Sequence, residues 1–383
     1  MEKETYSKRI AFYTIALHSG GGERVLLDLA QGFVEDGFKV DLLLFRREGS
    51  LKDKVDSRIN IIELESSRIA FSIFPIIKYL REKKPLFILG TSEHANLILI
   101  LAKMISMTKT KIFVRVGMTF SDLFKQYKNK RDRLIPFLIK FLYPYADKII
   151  ANSQNVAFDL ERVSKIPKNK IQVIYNPKFI SEIEKRAVQG EWKYSDKFTI
   201  LAIGRLQKQK DFETLIKAFS LVKQKIDAQL IILGEGGEKD NLNNLIYELN
   251  LRGYVYLVGF VENPYLYMKN ADVFVSSSLW EGFSNALVEA GILSLPIIAT
   301  DCGSGSRELL APRSDFNKTL EKGKIEYVQN GILVAKQDIE KIAEAIICLF
   351  EDEVLRKKYS ERIQKQSQKF EIKKILEEYK KLI

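Results

Sequence analysis

Four segments hold residues whose types and spacing could handle an anion. Ser19-Gly20-Gly21-Gly22-Glu23-Arg24 follows an apolar run and opens a helical pattern. Glycines there let a ligand reach the backbone, and a helix N-terminus turns unpaired N–H groups and a positive dipole end towards a phosphate. A tight turn accounts for the same residues. The spacing is neither the G-x-G-x-x-G dinucleotide fingerprint nor a G-x-x-x-x-G-K-[ST] phosphate loop. In Gly204-Arg205-Leu206-Gln207-Lys208-Gln209-Lys210-Asp211, two cations leave the end of another apolar run. Arg205 through its fork and Lys210 as a point charge suit a diphosphate, although a solvated basic turn uses the same residues.

Glu281-Gly282-Phe283-Ser284-Asn285-Ala286-Leu287-Val288-Glu289 sets two carboxylates eight positions apart around a loop entering a helix. The helix start near Ser284–Ala286 can hold anionic oxygens on backbone N–H groups, and Glu289 can accept from two vicinal hydroxyls. Two surface glutamates would be the plain alternative. Apolar Phe283, Leu287 and Val288 favour partial burial, where carboxylates need partners. Gly303-Ser304-Gly305-Ser306-Arg307-Glu308 is a further Gly-rich loop before a helix, and either lines the same site or is a simple turn.

The elements that must position these loops alternate along the chain. Residues 10–17, 40–45, 87–89, 111–116 and 148–151 read as strands, with helical patterns at 23–34, 95–105 and 122–145. The pattern restarts at 198–203, and strands follow at 229–233, 255–258, 273–276 and 297–299. Helices are expected at 211–223, 239–249, 285–290, 339–350 and 355–383, the last as one strongly helical stretch. This is the βαβ grammar of parallel sheets covered on both faces. A charged linker is expected at 178–197 after Asn176-Pro177, and a polar surface insertion at 311–326.

Composition bounds the reading. A chain of 383 residues, 46% hydrophobic and 29% charged, has material for packed cores; at ~150 residues per domain it allows two or three domains. The net charge is +12, and all of it falls in residues 1–190, with 33 Lys+Arg against 21 Asp+Glu. That asymmetry argues against a uniformly basic nucleic-acid binder and for one half meeting something anionic. Cys302 and Cys348 are too few for a disulfide framework or a structural zinc site, and His18 and His94 exclude a His-rich metal centre. Apolar runs such as 95–102 stop well short of the ~18 residues of a membrane span. The start shows no signal-peptide pattern, and a reducing cytoplasm is the expected compartment.

GGGER near the start, GRLQKQKDFETLIKAF opening the second half, then LGEGGEKDNL, VGFVENPYLYMKNADVFVSSSLWEGFSNALVEA and GILV follow one another along essentially the whole chain. With these motifs in this order, the chain resembles the family 4 retaining glycosyltransferases with the GT-B fold. The resemblance implies an α/β protein of two Rossmann-like, doubly wound domains facing across a cleft. Residues 1–180 would form the acceptor domain, with 366–383 packing back on it, and 190–365 the nucleotide-sugar donor domain. It implies that Glu289 takes the ribose hydroxyls, that Arg205 and Lys210 hold the diphosphate, and that Glu281 lies near the donor sugar. Gly204 and the backbone of Phe283, Ser284, Asn285 and Ala286 would line the donor site, and Gly21 and Gly22 would add N–H groups from the first domain. No D-x-D triplet occurs. A metal is therefore not expected, nor any cofactor, the nucleotide sugar being a substrate.

Many relatives carry a His after the strand corresponding to 111–116. Here the segment reads Phe113-Val114-Arg115-Val116-Gly117-Met118-Thr119, so Arg115 or the backbone of Gly117 is expected in its place. His94 is a second acceptor-side candidate, with an ordinary loop role as its alternative. Residues 120–145 are basic and aromatic: Lys125, Lys128, Lys130, Arg131, Arg133 and Lys140 stand against Asp122 and Asp132. Such a helix can lie on an anionic lipid surface, each cation contributing about 1 kcal/mol, or can pack on a core with a solvated basic face. The resemblance tilts this towards a peripheral enzyme on the inner face of the cell membrane. It would transfer a hexose or N-acetylhexosamine, from a UDP sugar before a GDP sugar, to a saccharide or lipid-linked saccharide acceptor in surface-polysaccharide, lipopolysaccharide or glycolipid assembly. Another GT-B activity, such as a sugar-nucleotide epimerase or phosphorylase, and a non-enzymatic basic membrane-binding protein are the alternatives. No nucleic-acid partner is expected.

Overall fold

Strands such as Arg9–Thr14 and Phe198–Ile203 are buried at nearly every position, on both faces. A strand of that kind must lie inside a sheet with helices on either side. A computed structural model of the chain describes residues 8–18, 20–126, 134–164, 166–303, 305–316 and 318–383. They divide into two units: residues up to Lys178 together with Ile372–Ile383, and Phe179–Glu371.

In the first unit the strands are β1 (Arg9–Thr14), β2 (Lys39–Leu44), β3 (Asn60–Glu63), β4 (Phe87–Gly90), β5 (Lys111–Val116), β6 (Lys148–Ala151) and β7 (Ile171–Val173). They form a parallel sheet in the order β3-β2-β1-β4-β5-β6-β7. Its helices are α1 (Gly21–Glu35), α2 (Ile73–Lys83), α3 (Glu93–Ser106), α4 (Phe120–Gln126), α5 (Ile135–Leu142) and α6 (Gln154–Ser164).

The second unit repeats the plan with β8 (Phe198–Ile203), β9 (Ala228–Leu233), β10 (Val255–Gly259), β11 (Val273–Ser276), β12 (Ile297–Thr300), β13 (Ile325–Val328) and β14 (Gly331–Val334). The order is β10-β9-β8-β11-β12-β14-β13, with β13 antiparallel to β14 at the edge. Its helices are α7 (Ile180–Ala187), α8 (Phe212–Lys223), α9 (Lys239–Glu248), α10 (Pro264–Asn270), α11 (Asn285–Ile292), α12 (Gly305–Leu310), α13 (Ile339–Glu351) and α14 (Glu353–Ser367). In both sheets the chain works outward from one central strand and then returns to its other side, so the order reverses between β1 and β4 and between β8 and β11. Loops leaving the carboxyl ends of those strand pairs diverge and leave a crevice, the usual ligand position in open α/β sheets.

The structure departs from the sequence reading in four places. The expected linker at 178–197 contains α7, whose Ile180, Ile183 and Ala187 are buried in a stripe that the surrounding charges mask in the sequence. The expected insertion at 311–326 ends in β13. The stretch read as one helix from 122 to 145 contains α4 and α5 as separate elements, with 127–133 outside the described residues. The helix expected over 355–383 ends at Ser367, turns at Gln368–Phe370 and resumes as α15 (Ile372–Lys380).

That last helix packs on α1. Gly32 leaves room for Ile372 and Leu376, the Tyr379 ring lies 6.3 Å from Phe33, and Lys380 pairs with Asp36 at 2.5 Å.

Two glycines fix the approach of β9's loop to β8's. Gly234 has φ +140°, and a Cβ there would lie 1.9 Å from the Gly204 carbonyl oxygen. Gly236 has φ +159°, with the Leu206 carbonyl oxygen 2.3 Å from the same position. Gly234→Ala is expected to lower unfolding stability by about 2 kcal/mol or more, because the obstruction is backbone and the φ is strained. Gly237→Ala, which meets nothing within 4 Å, should stay near wild type. Chemical denaturation of the two variants measures this, and equal stabilities would contradict the packing described.

Candidate active site

At the reversal of the second sheet, the loops after β8 and β11 are joined by side chains. Lys210 ends a short turn of 3-10 helix, Lys208–Lys210, and its ammonium pairs with Glu281 Oε1. Both side chains are mostly buried, 18% and 15% exposed, so the pair is held out of bulk water. Ser278 Oγ donates to the same carboxylate oxygen at 3.1 Å. Ser277 Oγ donates to the Lys210 carbonyl at 2.7 Å, Gln209 Nε2 to the Trp280 carbonyl at 2.9 Å, and the Leu279 amide to the Gln209 carbonyl at 2.8 Å. Thr300 Oγ1, at the end of β12, donates to the Ser278 carbonyl at 2.6 Å and brings a third strand end into the network.

Directly after Lys210, Asp211 takes a left-handed φ of +47°, which Asp tolerates better than most residues and which turns the chain into α8. Burial raises its carboxyl above the usual range, against hydrogen bonds from Thr214. Gly204 lies against the Lys210 side chain, and a Cβ there would come within 2.8 Å of Cε. Arg205 is exposed beside it.

Glu281 leads into the start of α11. Ser284 is extended and makes no side-chain cap hydrogen bond at the start of the helix. Phe283 is buried, and Glu289 lies half-buried on α11. The loop after β12 meets this one, because the Gly305 amide donates to the Gly282 carbonyl at 2.9 Å. Below it Arg307 grips Asp301 with two hydrogen bonds of 3.0 and 2.5 Å and adds Glu326 at 3.1 Å. Lys210, Glu281 and the start of α11 thus share one strand-end region, and Arg205 leaves the end of β8 in the same loop as Lys210.

In the first unit the corresponding edge carries the Gly20–Glu23 turn. Gly20 has no side chain where the Glu23 carboxylate sits, and Gly22 faces open space, with nothing within 4 Å of where a Cβ would stand. His94 is exposed at the start of α3; beside it Glu93 is half-buried, and burial raises its carboxyl. Arg115 is 4% exposed, and its guanidinium donates to Asn176 Oδ1 at 2.5 Å. Its side chain is therefore committed to the interior, while Gly117 is exposed and its carbonyl accepts from Asn152 Nδ2 at 3.1 Å. Among the cations proposed for a membrane surface, Lys128, Lys130, Arg131 and Arg133 lie outside the described residues, as does the side chain of Lys125.

Family comparisons match this arrangement at both ends. A model described as glycosyl transferases group 1 matches residues 184–366, and one described as Glycosyltransferase Family 4 matches residues 19–177. An N-acetylgalactosamine-N,N'-diacetylbacillosaminyl-diphospho-undecaprenol 4-alpha-N-acetylgalactosaminyltransferase of Campylobacter jejuni is 33% identical over 385 residues, covering 96% of this chain and 97% of that protein. The chain belongs to the family 4 glycosyltransferases. An uncharacterised glycosyltransferase of Methanocaldococcus jannaschii is 32% identical, with 87% of this chain and 89% of that one aligned. Among solved structures, Anabaena HepE in complex with UDP superposes with a TM-score of 0.77 at 21% identity, over 97% of this chain and 98% of that one. A glycosyltransferase from Rickettsia africae gives 0.78 at 21%, over 98% of both. Family 4 membership and the GT-B fold follow, and the non-enzymatic reading is set aside.

In this family 4 glycosyltransferase the supports of the Lys210–Glu281 pair come from residues the sequence does not flag. Ser277, Ser278 and Gln209 are ordinary polar residues, and only the run of serines just before Trp280 hints that the end of β11 is polar. Lys210→Met and Glu281→Gln should each lower unfolding free energy by about 1–2 kcal/mol, and the double variant should lose less than the sum, with a coupling of about 1 kcal/mol. Additive losses in denaturant titrations would mean that the pair contributes nothing.

Proposed function

We infer that this glycosyltransferase moves a hexose or N-acetylhexosamine from a UDP sugar to a lipid-linked saccharide, with retention of anomeric configuration and without a metal ion. The observation that carries the reading is the Lys210–Glu281 pair, which joins the loop after β8 to the loop that enters α11 at the β8/β11 reversal. The UDP bound to HepE and the diphospho-undecaprenol in the name of the Campylobacter relative support the donor and acceptor classes.

The chemistry follows from charge. Cleaving the anomeric C–O bond leaves negative charge on the departing nucleoside diphosphate and positive charge on the sugar. Lys210, fixed by Glu281, and Arg205 meet the first, and the N–H groups at the start of α11 add dipoles that need no reorganisation as charge develops. These cations take the part a bridging metal plays elsewhere. Glu289 accepts from the two ribose hydroxyls, which a carboxylate can do with both oxygens. The acceptor hydroxyl attacks from the face that the diphosphate leaves, and a phosphate oxygen takes its proton, so no protein base is assigned. Gly21 and Gly22 bring the start of α1 to an anionic group, Gly22 with nothing within 4 Å of where a Cβ would stand.

A membrane surface is the second half of the proposal. In the first unit α5 packs beside α3, and α3 beside α2. Ile135 and Ile139 of α5 point inward, while Phe137, Leu138 and Phe141 stay exposed, Phe137 by 60%. Met104, Ile105 and Met107 do the same at the end of α3, and Phe71 and Phe74 at the start of α2. An apolar face of this extent, with Lys140 exposed on α5, fits an anionic bilayer that presents a lipid-linked acceptor.

Transfer from a UDP sugar should fall by about 10²–10³ in Arg205→Ala and in Lys210→Ala. Wild-type turnover in both would refute the site. UDP should raise the melting temperature of the wild type and much less that of Glu289→Ala; a full shift in the variant would remove the ribose role, and stabilisation by GDP alone would change the base. Phe137→Ser with Phe141→Ser should reduce sedimentation with phosphatidylglycerol vesicles and leave the UDP shift intact, whereas unchanged sedimentation would sink the membrane surface.

A further inference from the structure

The backbone of the loop 281–286 can act on a ligand only if the loop holds its shape. Its apolar anchor is Phe283, 6% exposed. One face of that ring lies over Gly305, so closely that a Cβ there would fall 2.0 Å from the ring's Cδ2. The ring also meets Phe370, with centroids 5.4 Å apart and planes tilted by 50°. Phe370 is fully buried and belongs to the turn Gln368–Phe370 that follows α14, some ninety residues further along the chain. The turn is itself braced: the Lys369 ammonium lies 5.0 Å from the Phe370 ring centroid, and burial lowers its pKa against the attraction of Glu308 on α12. The Gly305 amide holds the Gly282 carbonyl from the same side.

We propose that Phe370 is a positioning residue for the donor loop, acting through Phe283, which it presses onto Gly305 so that the backbone of Ser284–Ala286 is presented in one conformation. It touches no substrate and rests on the donor reading above only for what the loop binds. Its distance from Glu281 in the sequence and its place after α14 give it no motif of its own.

Two measurements test this. Hydrogen exchange of peptides spanning 280–287, without ligand, should be faster in Phe370→Ala than in wild type and intermediate in Phe370→Leu. Gly305→Ala, which displaces the Phe283 ring without removing core volume, should also speed it. Titration with UDP should give a dissociation constant about tenfold weaker in Phe370→Ala, with Phe370→Leu between, and no further loss when Phe370→Ala is added to Phe283→Ala. Melting temperatures identify any variant that has simply unfolded, and Gly305→Ala then decides in place of Phe370→Ala. Unchanged exchange in folded variants would overturn the proposal, as would faster exchange with unaltered UDP affinity. A wild type that binds neither UDP nor GDP would overturn the donor reading instead, while the exchange data still decide whether Phe370 orders the loop.

Discussion

The second unit depends on one ion pair. Lys210 and Glu281 leave neighbouring strands at the point where the sheet order reverses, and their union ties the two loops that must stay apart elsewhere to admit a ligand. A mostly buried pair of this kind gains little net stability, because desolvation offsets attraction. What it supplies is placement: the ammonium is fixed by a carboxylate that Ser278 also holds, so its position is set before any ligand arrives. The glycines at 204, 234 and 236 serve the same end, since each lets a backbone or a Lys210 methylene occupy space that a side chain would fill.

Much of this was legible in the sequence for a physical reason. Parallel strands buried on both faces read as apolar runs, so β1, β2, β8, β9 and β11 stand out, and candidate site segments follow β1, β8 and β11. Arg205, Lys210, Glu281 and Glu289 were visible because charged residues next to such runs are conspicuous. Several peripheral elements were not. β3 and β7 are short and only partly buried, β13 is half-exposed, and α7 hides three apolar positions among charged residues.

Residues that act through others were the least legible. Ser277, Ser278 and Phe370 contribute by where the fold brings them, and little in their local sequence marks it. Arg115 shows the opposite failure. Its charge suggested a ligand, but its place in β5 turns it inward to Asn176, a pairing between positions 61 residues apart that spacing could not reveal. The break before α15 belongs here too: helical propensity continues through 368–370, and tertiary packing on α1 and on Phe283 decides where the chain turns.

The central claim is that Lys210, held by Glu281, reads the second phosphate of the nucleotide. Calorimetric titration of UDP and UMP against wild type and Lys210→Ala tests it directly. Wild type should prefer UDP by at least about tenfold, and the variant should lose most of this preference while binding UMP nearly as before. An undiminished preference for UDP in Lys210→Ala would contradict it.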